Sequence, residues 1–239
     1  MRKLLTALLA AALLLAGAGC AKEEPATGQP QASTQESSGN ETAAPAQKED
    51  QDTVYYNSFL GLTVTAPAGF YVTNLNEANL SQDPAATANP NDLEWHDYGD
   101  GSFSLDLIAI ANKRSDTHDD HAILQLYAED YADFSGGFDA YWEDFLYYTD
   151  YTGEDGFYYV SEDTATAELH GRTYRTLTRV VGNNGYSSEY VEEYYVTQMG
   201  DIYVVVYVDY WSDSAQAKAD AYFLREKCIK FIAAGAQAA

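Results

Sequence analysis

From Val54 onward, apolar and polar positions alternate in short runs separated by turn residues. Val54 to Leu60 and Leu62 to Ala66 read as a first pair of strands, broken at Asn57-Ser58 or Gly61. Pro67-Ala68-Gly69 reads as a turn, because proline presets φ and glycine accepts φ > 0. Phe70-Tyr71-Val72 opens another strand, and the polar stretch 75–92, with Pro84 and Pro90, reads as a loop. Leu93–Tyr98 and Ser102–Asn112 form a hairpin around Gly99-Asp100-Gly101. Its second arm has an apolar face that spreads to both sides midway, as expected of a strand end covered twice. Thr164–Leu169 and Arg172–Val181 flank His170-Gly171, the length of a tight two-residue turn. Ser187–Gln198 and Ile202–Tyr210 pair around Met199-Gly200-Asp201. Along the last arm Ile202, Val204, Val206 and Val208 face one way, and Tyr203, Val205, Tyr207 and Asp209 the other. Partners whose numbers sum to about 400 lie opposite, which brings Tyr194 near Val206 and its neighbours Val205 and Tyr207, within one residue of register.

Three stretches carry helical spacing. The first begins at Thr117, where Thr117 and Asp120 have capping-box spacing, runs through Ile123, Tyr127, Tyr131 and Phe134, and ends at Gly136-Gly137. The second carries Phe138, Tyr141, Trp142, Phe145 and Tyr148. The third starts near Asp213, again at capping-box distance from Gln216, and buries Ala217, Ala221, Leu224, Cys228 and Phe231. Every strand-to-strand link is a short turn, and short links require antiparallel neighbours. The expected fold class is α+β: a twisted antiparallel β-sheet with helices packed against it, mainly on one face.

The first 53 residues differ. Arg2 and Lys3 precede an apolar run, Leu4 to Ala16, that is too short to span a bilayer. Gly17-Ala18-Gly19-Cys20 follows and resembles the bacterial lipoprotein lipobox, although Gly17 stands where an aliphatic residue is usual. The resemblance implies a signal peptide over 1–19 and a diacylglycerol on Cys20. An ordinary signal peptide cut after an A-x-A-like site is the alternative. Residues 21–53 hold no aliphatic residue larger than Ala and no aromatic. Such a segment cannot bury enough apolar surface to offset its conformational entropy, so 20–53 is expected to be a disordered, lipid-anchored linker. The remainder, 54–239, is long enough for a single domain with its own core.

Longer patterns carry a second resemblance. Asn57 to Phe70 (Asn-x-x-Leu-Gly-Leu-Thr-Val-x-x-Pro-x-Gly-Phe), the Gly171 to Leu177 hairpin arm, the Glu-Tyr-Tyr-Val…Gly-Asp-Ile-Tyr-Val-Val segment and the closing amphipathic helix look like small Gram-positive lipoproteins of PsbP-like fold. The resemblance covers most of 54–233. It implies a central antiparallel sheet sandwiched by helices, and it implies neither an activity nor catalytic residues.

Charge narrows the function. With 37 acidic and 13 basic residues the formal net charge is −24, which excludes binding nucleic acid by phosphate neutralisation. Cys228 is the one cysteine beyond the leader, so no disulfide framework exists. No G-x-S-x-G elbow, P-loop or G-x-G-x-x-G occurs, and no catalytic residue or cofactor is assigned. Cys228, on the apolar stripe, reads as core, and His96 and His170 have no visible partner. In Asp116-Thr117-His118-Asp119-Asp120-His121, His118 and His121 share a face if helical and offer a divalent-metal site, against the plainer reading of an acidic helix N-terminus. The acidic turns with Asp92, Asp97 and Asp100, and with Asp150, Glu154 and Asp155, offer calcium sites or simple turn chemistry. The tyrosine clusters are either shell between sheet and helices or a recognition surface for a glycan or protein. The expected function is therefore a membrane-tethered extracytoplasmic domain with a non-catalytic binding or interaction role, toward an envelope protein or glycan. The alternative is a metal-dependent envelope hydrolase using His118 and His121.

Overall fold

The structure is a computed structural model that describes residues 52–57, 60–75, 95–98, 102–112, 120–130, 136–153, 155–185 and 187–231. Strands β1 (Thr53–Asn57), β2 (Leu62–Ala66) and β3 (Tyr71–Leu75) come first, followed by β4 (His96–Asp97), β5 (Phe103–Ala111) and β6 (Ala122–Asp130). Helix α1 (Gly137–Thr149) leads to β7 (Phe157–Leu169), β8 (Arg172–Asn183), β9 (Tyr190–Met199) and β10 (Ile202–Trp211). Helix α2 (Ala215–Lys227) and β11 (Ile229–Phe231) close the chain. Among the described residues the large sheet is eight-stranded, with the order β3-β5-β6-β10-β9-β8-β7 and β4 beside β5. A second sheet has the order β1-β2-β11. All pairings are antiparallel. The α+β class expected from the sequence is the observed one.

The hairpins form where the turn chemistry puts them. His170 (φ 53) and Gly171 (φ 72) both take the left-handed conformation that a type I′ turn needs. Gly182 in β8 serves a different need. The Tyr158 ring lies over it, and a Cβ there would come within 2.4 Å of the ring.

The second helical stretch and most of the third are helices in the structure. In α1, Tyr141, Trp142 and Phe145 are buried. In α2, Ala217, Ala221 and Leu224 are buried, while Cys228 caps the helix and Phe231 belongs to β11. The N-cap is Ser214, one residue after the expected Asp213; its Oγ accepts from the Ala217 amide at 3.0 Å.

The first expected helix is a correction. Residues 122–130 form β6, and Asp120 before it has φ 61, outside the helical region. Ile123 and Tyr127 are four apart, which suits a helix but also keeps them on one face of a strand. The even positions Ala122, Leu124, Leu126 and Ala128 are buried as well, because β6 runs mid-sheet and is covered on both sides. The helices are also not gathered on one face. Val204, Val206 and Val208, with Leu124, Leu126 and Ile110, pack under α2 and the small sheet. Tyr203, Val205 and Tyr207, with Tyr194, Val196 and Leu177, pack under α1.

Candidate functional site

The tyrosine face is covered. Tyr194, Tyr203 and Tyr207 are 6%, 4% and 7% exposed, which removes them as a recognition surface. Tyr141 of α1 stacks on Tyr203 at 3.7 Å, and its hydroxyl donates to Glu129 Oε2 at 2.6 Å. Phe145 meets Tyr194 edge-on at 5.5 Å. Partners in the β9–β10 hairpin sum to 401, so the turn is Gly200-Asp201 and Tyr194 lies opposite Tyr207. That one-residue refinement of register decides what shares the face.

The same register lines up four ionisable residues across four strands. Asp209 is opposite Glu192, Glu192 opposite Arg179, and Arg179 opposite Glu162. Like charges directly opposite one another are unfavourable, so Asp209 and Glu192 need an explanation. Glu192 and Arg179 are fully enclosed, whereas Asp209 keeps partial solvent access.

Hydrogen bonding supplies the explanation. Tyr207 Oη lies 3.1 Å from Glu192 Oε1 and 3.1 Å from Asp209 Oδ2. One hydroxyl carries one hydrogen, so both contacts are hydrogen bonds only when one carboxyl is protonated. Tyr151 Oη donates to Glu192 Oε1 at 2.9 Å and lies 2.7 Å from Tyr190 Oη. Burial disfavours the anion at Glu192 while two phenol donors and the facing Arg179 favour it, so the proton belongs to the pair and not to one carboxyl. Arg179 itself donates from Nε to Glu162 Oε2 (2.7 Å) and from Nη1 to the Thr149 carbonyl (2.8 Å), and lies over the Tyr159 ring at 4.4 Å. It therefore fastens the end of α1 to the sheet. Glu192 Oε2 is buried with no hydrogen-bond partner among the described residues.

Burial raises the Glu192 carboxyl to about 7, against the opposing pull of Tyr151, Arg179 and Tyr207. Burial, then the Glu192 charge, raises Asp209 to about 7 despite the Tyr207 hydrogen bond. The two titrate as a pair. Burial also pushes the Tyr151, Tyr194 and Tyr207 phenols far above their ordinary range, so they stay protonated at every physiological pH. This arrangement can store one proton near neutrality. Glu192 is sealed beneath rings and cannot touch a substrate.

Other candidates are placed as follows. Cys20, His118, Asp92, Asp100 and Glu154 lie outside the described residues. His121 stands directly before β6, so the helix that was to put His118 and His121 on one face is not formed. Asp97 is exposed in β4. Asp150 accepts from the Thr152 amide (2.9 Å) and hydroxyl (2.6 Å), as in an ordinary Asx turn; burial raises its pKa, but these bonds with the Arg179 charge and Tyr159 lower it overall. Among the described residues no group of three or more His, Cys, Asp or Glu is arranged to hold a metal. His170 Nε2 lies 2.7 Å from the Arg225 carbonyl, and burial lowers its pKa, so the neutral ring tethers the β7–β8 turn to α2. Cys228 is buried, and its thiol is pushed up to about 12 by burial and then by Asp52, as inert core requires.

Sequence reasoning placed Asp209 on the tyrosine face but did not pair it. A register sum of 401 applied to the same residues would have put Glu192 opposite it.

Comparison with protein families and with curated proteins returns no match. Several solved structures are similar. LpqN of Mycobacterium tuberculosis, described as involved in cell envelope biogenesis, is 16% identical; the match covers 75% of this chain and 90% of LpqN, with a TM-score of 0.41. Cyanobacterial PsbP from Synechocystis is 12% identical over 81% of this chain and 100% of that one, with a TM-score of 0.41. The Ran-binding protein Mog1p of Saccharomyces cerevisiae is 14% identical over 74% and 84%, with a TM-score of 0.34. PsbP, whose fold the sequence patterns resemble, is thus among the structures to which this chain is similar. Scores below 0.5 carry nothing about activity, ligand or partner, and the α+β assignment rests on the sheet topology itself.

Proposed function

We propose that the protein is a lipid-anchored extracytoplasmic domain with a non-catalytic binding or interaction role, toward an envelope protein or glycan. One observation carries this reading. A charged n-region, a short apolar run and small residues end at Cys20, and a spacer without aliphatic or aromatic residues then runs to the first strand at Thr53. No helix among the described residues is long and apolar enough to cross a membrane. A non-catalytic role is supported by the buried carboxyl pair, whose hydrogen bonds are all to neighbouring side chains of the sheet and of the segment after α1. The metal-hydrolase alternative rested on a helix over His118 and His121, and β6 begins instead at Ala122.

The test is Cys20→Ser in the full chain. The variant is expected to leave the membrane fraction or to remain unprocessed. Unchanged fractionation and processing would overturn the anchor.

A further inference from the structure

We propose that the outer face of α2, with Phe70 and Lys230 beside it, rests on an anionic lipid bilayer and sets how the tethered domain is oriented. This rests on the lipid-anchor reading above. Acids far outnumber bases over the whole chain, yet between Ala215 and Phe231 the balance reverses: Lys218, Arg225, Lys227 and Lys230 stand against Asp220 and Glu226. Both acids are engaged. Asp220 accepts from Asn112 Nδ2 at 2.6 Å and from Gln216 Nε2 at 2.9 Å, and Glu226 pairs with Arg225 at 3.0 Å. Lys218, Tyr222, Phe223, Lys227 and Lys230 are exposed, and no exposed acid lies among them.

Tyr222 and Phe223 are 56% and 41% exposed although both are large rings. Phe70 stacks on Phe223 at 6.0 Å and widens the apolar strip. Rings flanked by lysines on the outside of a surface helix have the composition of an interfacial helix. The rings enter the headgroup boundary while the ammonium groups meet lipid phosphates.

The spacer reaches the domain beside this face. Thr53 pairs with Ala66, the neighbouring Thr65 amide donates to the Cys228 carbonyl at 2.8 Å, and Cys228 caps α2. Two strand spacings, about 10 Å, therefore separate Thr53 from the junction at Cys228, where Lys227 ends α2 and Lys230 lies in β11. Asp52, an exposed acid at this edge, accepts from the Ala68 amide at 2.9 Å. A tether raises the effective concentration to the order of a millimolar, so a weak contact suffices. The acid-rich remainder is repelled by anionic lipid, which leaves this face as the one that can approach.

The experiment uses the lipid-bearing protein reconstituted into phosphatidylglycerol or phosphatidylcholine vesicles. A water-soluble amine-acylating reagent then reports the reactivity of Lys218, Lys227 and Lys230 by peptide mass spectrometry. On phosphatidylglycerol at low salt, labelling is expected to slow by about threefold or more relative to phosphatidylcholine, and to recover at high salt as charges are screened. Tyr222→Ser combined with Phe223→Ser, both exposed positions, should abolish the protection. Equal labelling on both lipids, with the protein still floating with its vesicles, overturns this proposal and leaves the anchor standing. Failure to float with either vesicle overturns the anchor and this proposal together. Equal protection by soluble polyphosphate without vesicles would assign the face to a soluble polyanion and overturn the lipid.

Discussion

Val206 and Tyr207 are adjacent in β10 and serve opposite faces of the sheet. Beneath α2 the face is aliphatic, with Val204, Val206 and Val208 against Leu124 and Leu126. Beneath α1 it is aromatic and charged, with Tyr207 hydrogen-bonded to Glu192 and Asp209, and Arg179 enclosed beside them. The stripe of Val204, Val206, Val208, Leu124 and Leu126 gains its stability from dispersion and burial and carries no titrating group of its own. The tyrosine face encloses carboxyls, phenols and a guanidinium, so its stability depends on protons and on each hydrogen-bond partner's presence.

The largest expected effect that separates the faces is Arg179→Met. It removes the cation opposite Glu192 and the donor to the Thr149 carbonyl. A loss of about 3–5 kcal/mol in urea unfolding at neutral pH is expected, as for breaking a buried charge pair. A change below 1 kcal/mol would show that the charge row is not coupled to folding. On the other face, Leu126→Ala should cost about 2–5 kcal/mol. The same loss is expected at acid and at mildly alkaline pH, and a marked pH dependence would erase the distinction between the faces.

The wild-type protein should itself lose stability as pH rises. Glu192 and Asp209 both sit at about 7 in the folded chain, above their unfolded values. The folded state therefore holds a proton that the unfolded chain has already released. The stabilisation is full below about pH 4 and is lost as pH climbs through 7. Between pH 5 and 8 these groups should lower stability by about 1–3 kcal/mol, and Asp209→Asn should flatten the slope. A melting temperature that rises over that window in the wild type, with no change of slope in the variant, would refute the shared proton. The smallest effect is expected of Tyr207→Phe, about 1–2 kcal/mol, since the ring remains and one hydroxyl is lost. Thermal melts that show it as costly as Arg179→Met would place the weight on Tyr207 instead.

These faces differ in how far they could be read in advance. The alternation of β10 identified both sides of the sheet, because a strand with one aliphatic and one tyrosine side has a plain period of two. The composition changes near Val54, and β1 begins beside it at Thr53. β6 was misread as a helix because it is apolar on both sides, which hides the alternation and leaves only a spacing of four. β7 was placed at Thr164 but begins at Phe157, because an edge strand with both faces largely exposed has little apolar pattern to show. The charge row was missed for another reason. Glu192, Arg179 and Glu162 look like surface charges one at a time, and only a register accurate to one residue brings them together.

β10 also has a kinetic consequence. Its bond to β9 is made through a two-residue turn, whereas its bond to β6 joins Ile202 to Asp130 across α1, β7, β8 and β9. The hairpins β7–β8 and β9–β10 can therefore close on the microsecond scale, roughly 1–10 μs each. The junction that unites the two halves of the sheet must wait for a long loop to close, which is the slow class of event in β-rich chains. Until β10 has been synthesised, β6 lacks its partner on that side of the sheet.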